Sequence, residues 1–291
     1  VIQSLMLGVI LLWLARFWLS PSYRLLWPPI CWAVLAFVAY AIIRYRYADV
    51  EYVARWELIR VLVYAFLFFA IVNNLSHQRY SHAMAMSLVV VATAISLAAV
   101  YQFVRHSNHV WGIPKLPFYL NRATGTYDCP NHLAGFLEMV LPLGLAFTLT
   151  GRMPHVIKVG LGYGTLLMLA GIGVSLSRGG WIAMGLALIV FFGVLFLQRL
   201  YRLPALVFLL VLLVAGLGFV AKNRLSQKRF ASMFTAGKVE DVRFLLWRPA
   251  IQMWQDNFWL GIGPAHFDQR FRQFRPEEMQ QRPVWVHNDY L

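Results

Sequence analysis

Blocks of uninterrupted apolar residues, each close to the thickness of a bilayer, decide what this chain can fold into. The stretch LPALVFLLVLLVAGLGFVA, residues 203–221, contains no charge at all. An α-helix rises about 1.5 Å per residue, so about 20 such residues cross a hydrocarbon core of about 30 Å. In hydrocarbon, backbone N–H and C=O groups must pair within the segment, and a helix does this. Eight blocks are expected to be spans: residues 1–19, 25–43, 57–75, 82–104, 131–150, 156–177, 181–198 and 203–221. Of 291 residues, 60% are hydrophobic and 13% charged, against about half and a quarter in a soluble domain. The fold class expected is an all-α polytopic membrane protein. A bundle of about eight transmembrane helices occupies residues 1–221, with a loop at 105–130. A large, partly helical loop follows over 222–291. Val1 already lies inside an apolar block, and Leu291 ends the chain inside a polar run. Both ends read as cut from a longer membrane protein.

The formal net charge is +14, with Arg far outnumbering Lys. The arginines sit between apolar blocks or in the terminal loop, which suits lipid head groups and phosphates rather than nucleic acid. Cys31 lies in a block and Cys129 in a loop, so no disulfide is expected, and no His/Cys spacing suggests a metal. Trp13, Trp18, Trp27, Tyr45, Tyr47 and Trp56 cluster near span ends, as interfacial aromatics do. Arg16, Arg24, Arg79, Arg152, Lys158, Arg199 and Arg202 fall in the odd-numbered connections with no acid nearby. The positive-inside rule therefore puts those connections in the cytoplasm and both long loops outside.

In the terminal loop, RFLLWRPAIQMWQDNFWLGIGP sets Trp247, Ile251, Trp254 and Phe258 on one helical face. Pro249 suits a first turn, so a helix is expected from near Trp247, stopped by Gly261-Ile262-Gly263-Pro264. Such a helix lies on the membrane surface or caps the bundle. Arg248, Gln252 and Gln255 lie off its apolar face.

Three residues carry the chemistry expected. Arg178, in SLSRGGW at the outer end of a span, either snorkels to the interface or faces a water-filled cavity. The adjacent glycines favour the cavity, because their backbone N–H groups are free to meet an anion. Arg248 is either a lipid-phosphate contact or a substrate ligand. His287 is either a structural histidine or the group that moves a proton near neutral pH. All three fall on the outer side, where two arginines suit a pyrophosphate. Arg243, Arg270, Arg272 and Arg275 form a second tier that is either a solvated basic face or an attractor of anionic lipid. Glu138, inside a span, needs an arginine partner or a cavity, and His132 beside Asn131 is expected to cap its helix.

GTYDCPNHLAGFLEMVLPL, SLSRGGW, RFLLWRPAIQMWQDNFWLGIGPAHF and VHNDYL, in this order and spacing, resemble the signature blocks of the O-antigen ligase-like superfamily. The resemblance covers about residues 125–291. It implies an enzyme that moves a glycan from a polyprenyl-pyrophosphate carrier to an acceptor hydroxyl, the lipid A core in the ligases. Relatives polymerise O-antigen units or glycosylate proteins. It implies metal-independent catalysis with no cofactor, at the periplasmic face of the bacterial inner membrane, among membrane lipids. Arg178 and Arg248 match the arginines expected to hold the pyrophosphate, with Arg243 beside them. His287 matches the catalytic histidine, and Asn288 or Asp289 would fix its tautomer. A transporter of lipid-linked glycan, or a scaffold, is the competing class; it would carry polar or broken helices at mid-membrane depth.

Overall fold

The computed structural model describes residues 2–19, 25–75, 77–234 and 242–275. One helix stands in each expected block: α1 (Ile2–Leu19), α2 (Ile30–Arg46), α3 (Glu51–Asn74), α4 (Gln78–Val104), α5 (Pro130–Leu149), α6 (His155–Ser175), α7 (Arg178–Leu197) and α8 (Arg202–Lys222). Three short helices follow, α9 (Arg224–Phe234), α10 (Val242–Asp256) and α11 (Phe267–Arg270). A two-residue hairpin pairs β1 (His109–Val110) with β2 (Ile113–Pro114). The chain is thus an all-α polytopic membrane protein. Among the described residues six helices, α3 to α8, are long and apolar enough to cross a membrane. The 17 residues of α2 reach about 25 Å.

The chain forms two compact units, α4–α9 and α1–α3 with α10 and α11. In the first of these, α5 packs on both α6 and α7. Small residues let the helices approach closely, the main device available where lipid is as apolar as the side chains. A methyl group on Gly171 would stand 2.9 Å from Leu137 and 3.0 Å from Ser96. One on Gly180 would stand 2.6 Å from the Ala134 methyl. Leu133, Leu137, Leu141, Leu145, Met168 and Ile172 fill the space between. Buried hydroxyls donate within their own helices, Ser96 to Ala92 O at 2.7 Å and Thr165 to Leu161 O at 2.8 Å, and Thr165 also lies 3.5 Å from the Thr148 hydroxyl of α5.

In the other unit α2 packs on α3, and α3 ends in two asparagines that tie down its neighbours. Asn74 Oδ1 accepts from Arg16 at 2.6 Å, and Asn73 Oδ1 from the Leu26 N–H at 2.7 Å. Here α10 departs from expectation at both ends. It begins at Val242, so Pro249 lies inside it rather than in its first turn. The reason is a second apolar stripe, Leu246, Ala250 and Met253, which is buried against Phe267 and Phe271. Burying Leu246 draws the preceding turn into the helix, although Pro249 cannot bond the Leu245 carbonyl. The stripe read from the sequence lies outside this contact: Ile251, Trp254 and Phe258 are exposed and Trp247 is half-buried. The helix ends at Asp256, five residues before the Gly261-Ile262-Gly263-Pro264 run expected to stop it, and Gly261 instead turns the following segment, with φ +61° and its N–H on Asn257 O at 2.7 Å.

Gly180→Ala should force α5 and α7 apart, because the Ala134 methyl is rigidly attached to the backbone. The thermal midpoint of the solubilised protein should fall by the equivalent of about 1–3 kcal/mol. Gly135→Ala on α5, where a methyl meets nothing within 4 Å, should not lower it. Equal midpoints would contradict a tight crossing.

Candidate functional site

Arg178 is the first residue of α7 and is half-buried. Only Leu176 and Ser177 separate α6 from α7. Leu176 takes the left-handed conformation, φ 52°, which costs a residue with a Cβ roughly 1–2 kcal/mol. Its buried side chain offsets that strain. Three hydrogen bonds hold the turn. Ser177 Oγ accepts from the Gly180 N–H at 3.3 Å, Ser175 Oγ accepts from the Ser177 N–H at 3.3 Å, and Trp181 Nε1 donates to Ile172 O at 3.2 Å. The two glycines have different uses. Gly180 is a packing residue, whereas a Cβ on Gly179 would meet nothing within 4 Å. The start of α7 therefore presents Arg178, an uncrowded Gly179 and the positive end of a helix, a setting that favours an anion.

A residue that sequence reasoning did not single out braces this turn. Arg122 Nε donates to Ser175 O at 2.9 Å, and its Nη2 to Asn131 Oδ1 at 3.2 Å. Its guanidinium also lies 5.8 Å from the Tyr119 ring centroid. The next residue, Ala123, donates its N–H to Val174 O at 3.0 Å. The 105–129 loop is thereby bound to the end of α6, three residues before Arg178. Gln102 holds the same loop from α4, accepting from the Thr124 and Gly125 N–H groups at 3.2 and 3.0 Å. Lys115 is buried in it, donating to Ser107 O at 3.0 Å and Arg122 O at 2.8 Å. Burial pushes its ammonium below the usual lysine range. A lone Arg in a loop has no periodic signature, so only the neighbouring Asn121 at φ 62° hints at a constrained turn.

Cys129, rather than His132, stands at the N-cap of α5, and no side chain caps the helix. Asn131 is engaged by Arg122 instead, and His132 is exposed. Glu138 is half-buried in α5 and has no arginine partner among the described residues.

In the other unit Arg248 is exposed on α10, on the face it shares with Gln252 and Gln255. Arg243 lies in the first turn of the same helix. Of the second tier, Arg270 is ion-paired with Asp49, and Arg272 is exposed. The segment after α10 is bound to the α2–α3 connection. Tyr40 Oη donates to Trp259 O at 2.9 Å and Arg44 Nε to Leu260 O at 2.8 Å. His266 is buried, with Nε2 accepting from the Val50 N–H at 2.8 Å and Nδ1 2.6 Å from Pro264 O. With both ring nitrogens engaged by backbone groups, this ring is committed to structure. His287, Asn288 and Asp289 lie outside the described residues.

Residues 163–291 match the family model described as O-antigen ligase. Neither the curated proteins nor the solved structures contain a match.

Removing the Arg122 side chain should orphan the Ser175 carbonyl, at a cost of about 1–3 kcal/mol. Amide exchange at Ala123 should then rise in Arg122→Ala while α4 stays protected. Unchanged exchange would mean that Arg122 braces nothing. His266→Ala should likewise orphan the Val50 N–H and leave a cavity. Limited proteolysis between residues 257 and 275 should then speed up roughly tenfold, and wild-type cleavage rates would contradict the latch.

Proposed function

We propose that this chain, whose residues 163–291 match the family model described as O-antigen ligase, is a glycosyltransferase that moves a glycan from a polyprenyl-pyrophosphate carrier to an acceptor hydroxyl. The observation that carries the reading is the family match, because it spans Arg178, Arg248 and His287 together. The acceptor we favour is the lipid A core, and the setting is the periplasmic face of the bacterial inner membrane. The acceptor oxygen bonds to the anomeric carbon as the bond from that carbon to the pyrophosphate oxygen breaks. The carrier leaves as polyprenyl pyrophosphate, and the acceptor's proton goes to His287.

Charge grows on the bridging oxygen as this bond lengthens. A guanidinium already in place stabilises it without reorganising, an effect of about 3–4 kcal/mol for one donor in comparable sites. Arg178 suits the task because it starts a helix and is held in a braced turn. Arg248 suits it because its face of α10 is polar and open. Asn288 or Asp289 would orient the His287 ring, and Arg243 would add positive charge near the donor. No step in this reading passes through a metal or a cofactor.

Arg178→Lys and Arg248→Lys should each lose most of the activity, since an ammonium cannot reproduce a bidentate fork on phosphate. His287→Gln should lose about 10²-fold or more in turnover while still binding the carrier lipid. The measurement is product identity and turnover in membranes supplied with polyprenyl-linked glycan and either lipid A core, a second glycan unit or a protein acceptor. Extension of the glycan or glycosylation of the protein, without transfer to lipid A core, would replace the ligase by its polymerase or protein-modifying relatives. Near-wild-type turnover in all three variants would remove the proposed site.

A further inference from the structure

The unit that contains α10 leaves one aromatic surface uncovered. Trp254 is 43% exposed, Phe258 54% and Trp259 81%. The rings are contiguous, with centroids 4.8 Å apart between Trp254 and Phe258 and 5.3 Å between Phe258 and Trp259. Ile251, one turn earlier on the same stripe, is exposed as well. The opposite stripe of α10 is already buried against Phe267 and Phe271, so the helix has two apolar sides and protein covers one. A patch of this kind on a folded surface marks a contact with another apolar phase.

The tethers fix the level at which this patch lies. Trp259 O is bonded to Tyr40, six residues before the last residue of α2. Six residues are about 9 Å of helix. Leu260 O is bonded to Arg44, and His266 to the N–H of Val50, which precedes the membrane-spanning α3. The charged groups Arg44, Arg46, Asp49, Glu51 and Arg55 mark where these helices leave the hydrocarbon. Trp259 is thus tied to the last two turns of α2, between Tyr40 and the first charged group, Arg44, a level that suits the boundary between head groups and acyl chains, where tryptophan is enriched. On α2 the exposed side chains Phe37, Ile42 and Ile43 flank this level. Lipid covers those residues in a bilayer, and the aromatic patch is tethered to the same helix at Tyr40 and Arg44.

We infer that Trp254, Phe258 and Trp259 form an aromatic wedge that enters the lipid leaflet on the side of the α2–α3 connection. The occupant of the patch is lipid. The wedge holds α10 flat on the membrane, with Arg248, Gln252 and Gln255 turned along the head-group layer instead of into bulk water. This inference does not depend on the activity proposed for the chain.

The test uses the full chain in lipid nanodiscs, with Cys31 and Cys129 replaced by serine. A single cysteine at Trp259, Phe258 or, as a control on the polar face, Gln255 carries an environment-sensitive fluorophore. Doxyl groups placed at the carbonyl level of the acyl chain should quench the labels at 258 and 259 several-fold more than the label at 255. Iodide in the water should quench the label at 255 in preference. Labels at 258 and 259 that iodide reaches as readily as the label at 255 would overturn the wedge. So would labels shielded from both quenchers, because protein would then cover the patch. Two wedge positions are read separately, so a variant that fails to fold leaves the other to decide.

Discussion

The ordered loops of this protein depend on the attraction between a cation and a backbone carbonyl. The chain has 26 basic and 12 acidic residues, so most cations cannot find a carboxylate. Arg44 bonds Leu260 O, Lys115 bonds Ser107 O and Arg122 O, Arg122 bonds Ser175 O, and Arg202 bonds Phe196 O. Hydrogen bonds from a charged donor contribute about 1.5–3 kcal/mol, roughly twice the neutral kind. A membrane helix satisfies its own backbone except at its ends, and those ends are where the loops need anchors. Part of the strongly basic composition is therefore architectural. It cannot all be counted as affinity for phosphate.

The spanning helices were legible because their signal is crude and repeated. A block of about 20 apolar residues has few alternatives in a bilayer, and each of the eight blocks holds a helix. The short α2 was not legible as such, because its residues look equally apolar on either side of Pro28 and Pro29. The same crudeness explains the error over α10. Trp247, Ile251, Trp254 and Phe258 form a larger apolar stripe than Leu246, Ala250 and Met253, and in the sequence the larger stripe hides the smaller one that packs inside. What decides is which stripe meets Phe267 and Phe271, and a helical period holds no record of its partner.

The candidate site was legible where it had a local pattern. SLSRGGW reads as a glycine-flanked arginine at a span end, and the structure places Arg178 at the start of a helix after a two-residue turn. The two glycines looked alike in sequence, and only the approach of Ala134 separates a packing glycine from an open one. Arg122, Gln102 and His266 were invisible for a common reason. Each acts on a backbone group far along the chain, Arg122 on Ser175 and His266 on Val50. Nothing in the local sequence of either residue encodes such a partner.

The turn between α6 and α7 has a mechanical meaning. Two residues, both buried, one left-handed and the other spent on capping the next helix, leave no slack to act as a hinge. The two helices therefore form a single hairpin-shaped strut, with Arg178 at its bend. Whatever compliance the strut has lies at its far ends, in residues 151–154 before α6 and in the short turn at Arg199–Tyr201 after α7. The charge at the bend is positioned by the stiffness of some forty residues of helix, so its place is sensitive to changes a whole membrane thickness away.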